Sequence, residues 1–293
     1  MSESMLLKEK INSYIDKMPP LPVSVSKVLE LTRQPNVTAT DLNKVISLDP
    51  VLLAKVMRLI NSAYYGLSQE VTSLARAIVM LGINTVKNLA LSTAVLATMN
   101  QSKSNMAVLN MEAFWLHSLA VGTTSKLIAR ERGVDPKELE NYFIAGLLHD
   151  IGKIPLNNRV PEDFLQAIQE ADKSRTSLVE AERMVLNYTH EEAGLLIIQN
   201  WQLGDELADV AAFHHSPQTY SGLYKDLVFT VAISNYYVKI QEFGFSGDRH
   251  PVKPPANVFE QLGIAWAQIQ KLDENISSEI EKAKVFLKIT EKT

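Results

Sequence analysis

The chain of 293 residues carries 29 Lys and Arg against 33 Asp and Glu, a formal net charge of -4, with 46% hydrophobic and 21% charged side chains. This is the composition of a globular chain long enough to bury most of its surface, which excludes disorder. The acidic excess argues against a nucleic-acid or anionic-membrane binder, and the lack of cysteine excludes disulfides, Cys-ligated zinc, iron–sulfur clusters and thiol nucleophiles.

Almost every segment reads with helical period, strand-like alternation is scarce, and no Asn-Gly or Asp-Gly hairpin dipeptide occurs. An all-α fold is expected, a multi-helix bundle. The opening MSESMLLKEK has no apolar core of signal-peptide length. Leu89 to Met99, the most apolar run, is far shorter than the roughly 20 residues of a spanning helix. The expectation is a soluble cytoplasmic protein with no membrane partner.

A first helix is expected from Ser4 to Lys17, stopped by Pro19-Pro20, and a second opens at Pro22 with Val25, Val28, Leu29 and Leu31 inward. Thr40 is the expected N-cap of a short helix over Asp41–Ser47. Asp49-Pro50 breaks the chain before a helix over Val51–Asn61, and helices over Leu74–Leu81 and Thr85–Met99 follow, separated by Gly82. The polar run Gln101 to Asn105 (QSKSN) is the expected boundary between an N-terminal helical lobe, residues 1–105, and a second helical lobe, residues 106–293. Residues 1–100 carry 10 basic and 7 acidic side chains, whereas 101–293 carry 19 and 26, so the charge changes sign there. Further helices are expected at Glu112–Glu131, Pro136–His149, Pro161–Ala171, Ser177–Leu186, Glu191–Trp201, Asp205–His214 and Asp226–Phe243. A Gly/Pro-rich loop spans Ser246 to Asn257, and two amphipathic helices end the chain.

Histidine carries the chemistry. His117, His149, His190, His214 and His215 each fall on or at the end of an expected helix. His149 precedes Asp150 in LLHDIGK, where Gly152 and Pro155 are expected to end the helix, and at a helix end both side chains can reach one centre. Imidazole nitrogen mixed with carboxylate oxygen suits Fe, Mn, Zn or Ni. Thr189 and Glu192 make a capping box that puts His190 in a first helical turn. Lys153, three residues after Asp150, places a cation where a substrate phosphate could lie. Each piece alone has a plain structural reading, since a helical histidine is commonly a core residue and His-His before a proline can serve as a C-terminal cap.

The order His, His-Asp, His, His-His resembles the HD superfamily of metal-dependent phosphohydrolases, particularly the cyclic-dinucleotide phosphodiesterases that carry a Gly-Tyr-Pro motif. That resemblance implies His117, His149 and Asp150 as ligands of a first metal, with His190, His214 and His215 completing a second site and Lys153 contacting phosphate. Two departures stand out. The Gly-Tyr-Pro that should follow HDIGK is replaced by IPLNNRVP, and the closing aspartate of the pattern is Asn235, a weaker ligand that removes one negative charge. The strings PPLPVSVSKVLELT, TDLNKVISLDPVLLAKVMRLINSAYYG and SLARAIVMLGINTVKNLAL, with the rest of roughly Met18 to Tyr220, resemble the HDOD domain, an HD-related output domain. The resemblance implies a bacterial regulatory module, often without catalysis.

Two functions follow as expectations. The first is a signal-transduction module that acts through a protein partner and binds a divalent metal in a degenerate phosphohydrolase site. The second is a metal-dependent phosphohydrolase acting on nucleotides or cyclic dinucleotides, with a nucleotide or other phosphoester as ligand and Asp150 and Lys153 as catalytic residues. A helix-turn-helix reading of Thr40–Ser47 and Val51–Asn61, with Lys55 and Arg58 toward DNA, is opposed by the weak charge and the apolar second helix. Asn61, Tyr64 and Tyr65 are polar-tipped groups expected near the interface between the lobes.

Overall fold

Two pairs of glycines set the distances on which the architecture depends. The computed structural model describes residues 3–100 and 108–290, all of it helix, turn and loop with no strand among those residues. The expected boundary at Gln101–Asn105 lies outside the described residues. The first part contains α1 (Glu3–Asp16), α2 (Val23–Thr32), α3 (Ala39–Ser47), α4 (Pro50–Ile60), α5 (Leu74–Leu81) and α6 (Ile83–Asn100). After it come α7 (Met111–Glu131), α8 (Leu139–Leu148), α9 (Lys153–Arg159), α10 (Pro161–Ser174), α11 (Leu178–Leu186), α12 (His190–Asn200), α13 (Asp205–Phe213) and α14 (Lys225–Ile240). The chain closes with α15 (Ala256–Leu262), α16 (Trp266–Gln270), α17 (Asp273–Ala283) and α18 (Val285–Thr290).

Helix α7 is buried on almost every side and forms the axis, packed against α8, α14 and α17. A Cβ on Gly146 of α8 would stand 2.6 Å from Gly122 Cα on α7, and one on Gly122 would stand 2.5 Å from the Phe143 carbonyl oxygen. The two helices therefore touch backbone to backbone, closer than any side chain allows. Gly152, in the turn after α8, does the same against α12, where a Cβ would meet the His190 carbonyl at 2.0 Å and the Gly194 nitrogen at 2.4 Å.

The terminal helices each pack against the opposite half of the chain. α1 packs on α9 and α12 rather than on its sequence neighbours, burying Ile11 and Ile15, with Tyr188 Oη donating to Asn12 Oδ1 at 2.8 Å. α18 returns to α4 and α6, burying Phe286 and Ile289. The division at residue 105 thus does not follow the packing at either chain end. No single described helix is long and apolar enough to cross a membrane; α5 and α6 together pass by length and composition but are bent by 117°.

Local chemistry moves several expected boundaries. The cap of α3 is Thr38, not Thr40, because Thr38 and Asp41 close a reciprocal capping box. Asp49-Pro50 starts a helix instead of merely breaking one: Asp49 Oδ1 accepts from the Val51 and Leu52 amides, and Pro50 takes the first helical position, where its missing N–H costs nothing. The helix that carries His149 does end before Gly152, at Leu148, but the chain returns to helix at once: a short α9 begins at Lys153 with Pro155 in its first turn. α8 starts at Leu139, later than Pro136, and four short helices rather than two follow the Ser246–Asn257 loop.

Gly146→Ala should lower the unfolding free energy by about 1–3 kcal/mol, the usual cost of overpacking, as measured by urea denaturation. Asp49 also accepts from Ser24 Oγ at 2.6 Å; burial raises its carboxyl, but these three hydrogen bonds hold it below its ordinary value. A carboxyl with depressed pKa stabilises the fold above its unfolded value and loses that contribution as pH falls through the folded one. Asp49→Ala should therefore cost about 1 kcal/mol at pH 7, with the gap from wild type narrowing below pH 4 in parallel melts.

Candidate metal centre

Five helices deliver one cluster. His117 lies in the second turn of α7, while His149 caps α8 and Asp150 follows it in the tight turn closed by Gly152. His190 is the first residue of α12 behind the Thr189–Glu192 capping box, His214 caps α13, and Lys153 opens α9. The Gly152–Gly194 contact seats α12 directly on the His149–Asp150 turn.

Asp150 is the centre. Its Oδ2 faces His149 Nε2 at 3.3 Å and His117 Nε2 at 3.6 Å, while Oδ1 faces His190 Nε2 at 3.4 Å and His214 Nε2 at 3.5 Å. His215 Nε2 lies 3.1 Å from His190 Nε2. Ligand atoms of His117, His149 and Asp150 all fall within 4.8 Å of one another, as do those of Asp150, His190, His214 and His215. The structure thus gathers all six of these residues, with one carboxylate shared between two sets.

For three of the rings the far side fixes the tautomer. His149 Nδ1 donates to the Gly146 carbonyl at 2.7 Å, His214 Nδ1 is 3.1 Å from the Val210 and Ala211 carbonyls, and His190 Nδ1 donates to Glu182 Oε2 at 2.6 Å. With the proton on Nδ1, each Nε2 turns a lone pair toward Asp150. His117 Nε2, His149 Nε2, His214 Nε2 and Asp150 Oδ1 are buried with no hydrogen-bond partner. Lone pairs converging on a carboxylate repel, and unpartnered buried polar atoms are costly. A divalent cation between them resolves both, so the residues fit a metal.

Burial drives the titration of these rings. It holds His117, His190 and His215 well below, and His214 below, the ordinary histidine range, so these four are neutral at pH 7. Burial would raise the Asp150 carboxyl, but His149 and Lys153 beside it outweigh that and keep it well below its ordinary value. Neutral imidazoles and an ionised carboxylate are the forms that ligate metal.

Lys153 is fully buried, its Nζ 2.7 Å from Asp150 Oδ2 and 3.3 Å from Ser246 Oγ. It points into the cluster. The adjoining cavity of about 270 Å³ is lined instead by Lys239, Arg183 and Lys253, along with His214, His215 and Asn235. Asn235 Oδ1 is buried without a partner. The Gly/Pro-rich loop forms one wall of this cavity through Asp248 and Pro251–Pro255. That loop is tied down by Phe245 N–H donating to the Ala113 carbonyl at 3.0 Å, by Ser246 near Lys153, and by a buried Asp248–Lys239 pair at 2.7 Å.

Glu182, Lys239, Asp248 and Ser246 were not singled out in the sequence. Glu182 lies on α11, eight residues before His190, and its Oε2 also accepts the His190 backbone N–H at 2.9 Å. An acidic residue on the apolar side of an amphipathic helix was the one available signal. Burial pushes the Glu182 carboxyl up to about 8.

The HDOD domain family matches residues 18–217. The chain belongs to the HDOD family. An uncharacterized protein of Treponema pallidum (strain Nichols) is 26% identical over 242 residues, covering 81% of this HDOD chain and 45% of the relative. The chain thus spans a little under half the length of that curated relative. An HDOD domain protein of unknown function from Geobacter sulfurreducens superposes with a TM-score of 0.76 at 24% identity over 97% of each chain. A protein from Marinobacter aquaeolei VT8 with a proposed signal-transduction role gives 0.76 at 19% identity, over 99% of this chain and 67% of that one. At these identities the two structures establish a shared HDOD helical fold.

If Glu182 holds the His190 ring for ligation, Glu182→Ala should weaken metal affinity by about 10–100-fold, the range for lost support of a ligand histidine. Calorimetric titration of stripped protein with Zn2+ measures it, and Glu182→Asp should recover part of the loss.

Proposed function

We propose that this HDOD protein is a signal-transduction module that holds divalent metal at Asp150 and admits a phosphoester ligand to the cavity beside it. The observation that carries the reading is the shared carboxylate: each Asp150 oxygen faces two histidine Nε2 atoms at 3.3–3.6 Å. His117, His149 and Asp150 would hold one ion, and Asp150, His190, His214 and His215 a second, with Asn235 a weaker ligand at the cavity side. The nitrogen-rich donor set suits Fe, Mn, Zn or Ni. Output passes to a protein partner, the role implied by membership of an output-domain family.

A second reading, hydrolysis of the phosphoester, is favoured by the cations on the cavity wall. A bound divalent metal supplies Lewis-acid activation of water and of a phosphoryl oxygen. Arg183 and Lys253 would orient the anion, the loop wall at Pro251–Pro255 would exclude water, and Lys153 would keep Asp150 ionised. Asn235, in place of a carboxylate, leaves the centre one negative charge short and weighs toward binding without turnover.

The test is metal content of tag-free protein by mass spectrometry. Near-stoichiometric divalent metal in the wild type, lost in Asp150→Ala, is expected; wild-type protein without metal above background sinks the proposal. Turnover of a broad phosphoester panel by the loaded protein would select the hydrolase reading over the module.

A further inference from the structure

Helices α7 and α8 carry a second polar cluster at the end of the pair remote from the histidines. Lys126 of α7 pairs with Glu140 of α8, both largely buried. The Lys126 ammonium also lies 3.2 Å from Tyr64 Oη, 4.6 Å from the Tyr64 ring centre and 5.4 Å from that of Tyr65. These two tyrosines belong to the Asn61–Gly66 turn after α4, so the first lobe grips the second here. The Tyr64 ring in turn packs against Phe143 of α8 at 5.6 Å and Phe286 of α18 at 5.3 Å.

The spacing is the same on both helices. Lys126 is nine residues from His117 along α7, and Glu140 is nine residues from His149 along α8. At 1.5 Å per residue each separation is about 13 Å. Between the two ends lies the Gly122–Gly146 contact, where the backbones meet and no side chain intervenes. Helices packed this closely, with backbone contact at their centre and a clamp at one end, have the spacing of their other end constrained too. The free end here presents His117 and His149 to the same oxygen of Asp150, their ring centres 5.5 Å apart.

We infer that Lys126, Glu140 and the Tyr64–Tyr65 pair are positioning residues for the His117–His149 half of the metal centre, acting through α7 and α8 as a lever about the glycine contact. The inference rests on the reading of His117, His149 and Asp150 as a metal site. It makes the first lobe part of the centre's geometry, because whatever holds the Asn61–Gly66 turn also sets the gap between two ligands. His190, His214 and His215 sit on α12 and around the end of α13, outside the α7–α8 pair, and are coupled to it through Asp150 and its turn rather than through the Lys126–Glu140 clamp itself.

The experiment uses full-length protein stripped of metal and titrated with Mn2+ alone, beside imidazole ¹⁵N shifts recorded without metal. Lys126→Met should weaken one of two binding events about tenfold and the other less, and move the ring shifts of His117 and His149 more than that of His190. Because an unpaired buried Glu140 can prevent folding, the double variant Lys126→Met/Glu140→Leu removes both charges and keeps the volume filled. The same selective pattern is expected from it. Equal weakening of both events, or no change in affinity and shifts in either variant, overturns the lever. Wild-type protein that binds no Mn2+ overturns the metal reading instead, and the shifts of the metal-free rings still decide the lever.

Discussion

A carboxylate with no exposure to water is the constraint on which this molecule is built. Burying an ionised group is expensive unless opposite charge and hydrogen bonds replace its hydration. Asp150 has Lys153 at 2.7 Å for charge, and on its remaining faces only imidazole nitrogens that carry lone pairs. The protein has arranged four ring tips around an anion, and for at least three of them the proton sits on the far nitrogen. His149 and His214 point their single N–H at a backbone carbonyl and His190 points its own at the buried Glu182 carboxyl, which leaves each Nε2 as a lone-pair donor. Such an arrangement is unfavourable as a hydrogen-bond network and favourable as a cage for a cation.

The remainder of the second lobe serves that cage. Glycines at 122, 146, 152 and 194 let α7, α8, the following turn and α12 approach to backbone contact, which is what brings ligands from distant points in the chain within a few ångströms. The Ser246–Asn257 loop then closes the side that α14 leaves open. Its Asp248 neutralises Lys239 and its Ser246 reaches Lys153, so the two buried lysines nearest the cluster are both engaged from the loop side. Charge for an incoming anion comes from the cavity wall and not from the HDIGK motif.

Much of this was legible in the residues. Helical period gave the class, and the Thr189–Glu192 box placed His190 at its true position in a first turn. The His-Asp pair could be assigned to one centre because a helix end relaxes the angular separation of neighbours. What could not be read is what depends on chain segments meeting at a distance. Lys153 looks like an exposed cation after a helix; it is buried because α9 starts there, a helix that Gly152 and Pro155 seemed to forbid. Glu182 and Lys239 have no motif, since their role comes from packing against His190 and Asp248. The Asn61–Tyr65 string was visible as unusual, and its Tyr64–Phe286 contact with the C-terminal helix was not.

The exchange of terminal helices limits how this fold can move. Separating the lobes as rigid bodies would pull Ile11 and Ile15 of α1 from α9 and α12, and Phe286 and Ile289 of α18 from the first lobe. Each costs about 1.5–3 kcal/mol to expose, alongside the buried Lys126–Glu140 pair and its tyrosines. A conformational change that preserves these contacts has to be small and confined to helix spacing. The α7–α8 pair is suited to that, because its centre is a side-chain-free contact about which a sub-ångström shift at one end is carried to the other. On the proposed lever, the gap between His117 and His149 is the coordinate that both the Asn61–Gly66 turn and a bound cation would set. By reciprocity, whatever factor the turn imposes on cation affinity, a bound cation imposes on the turn.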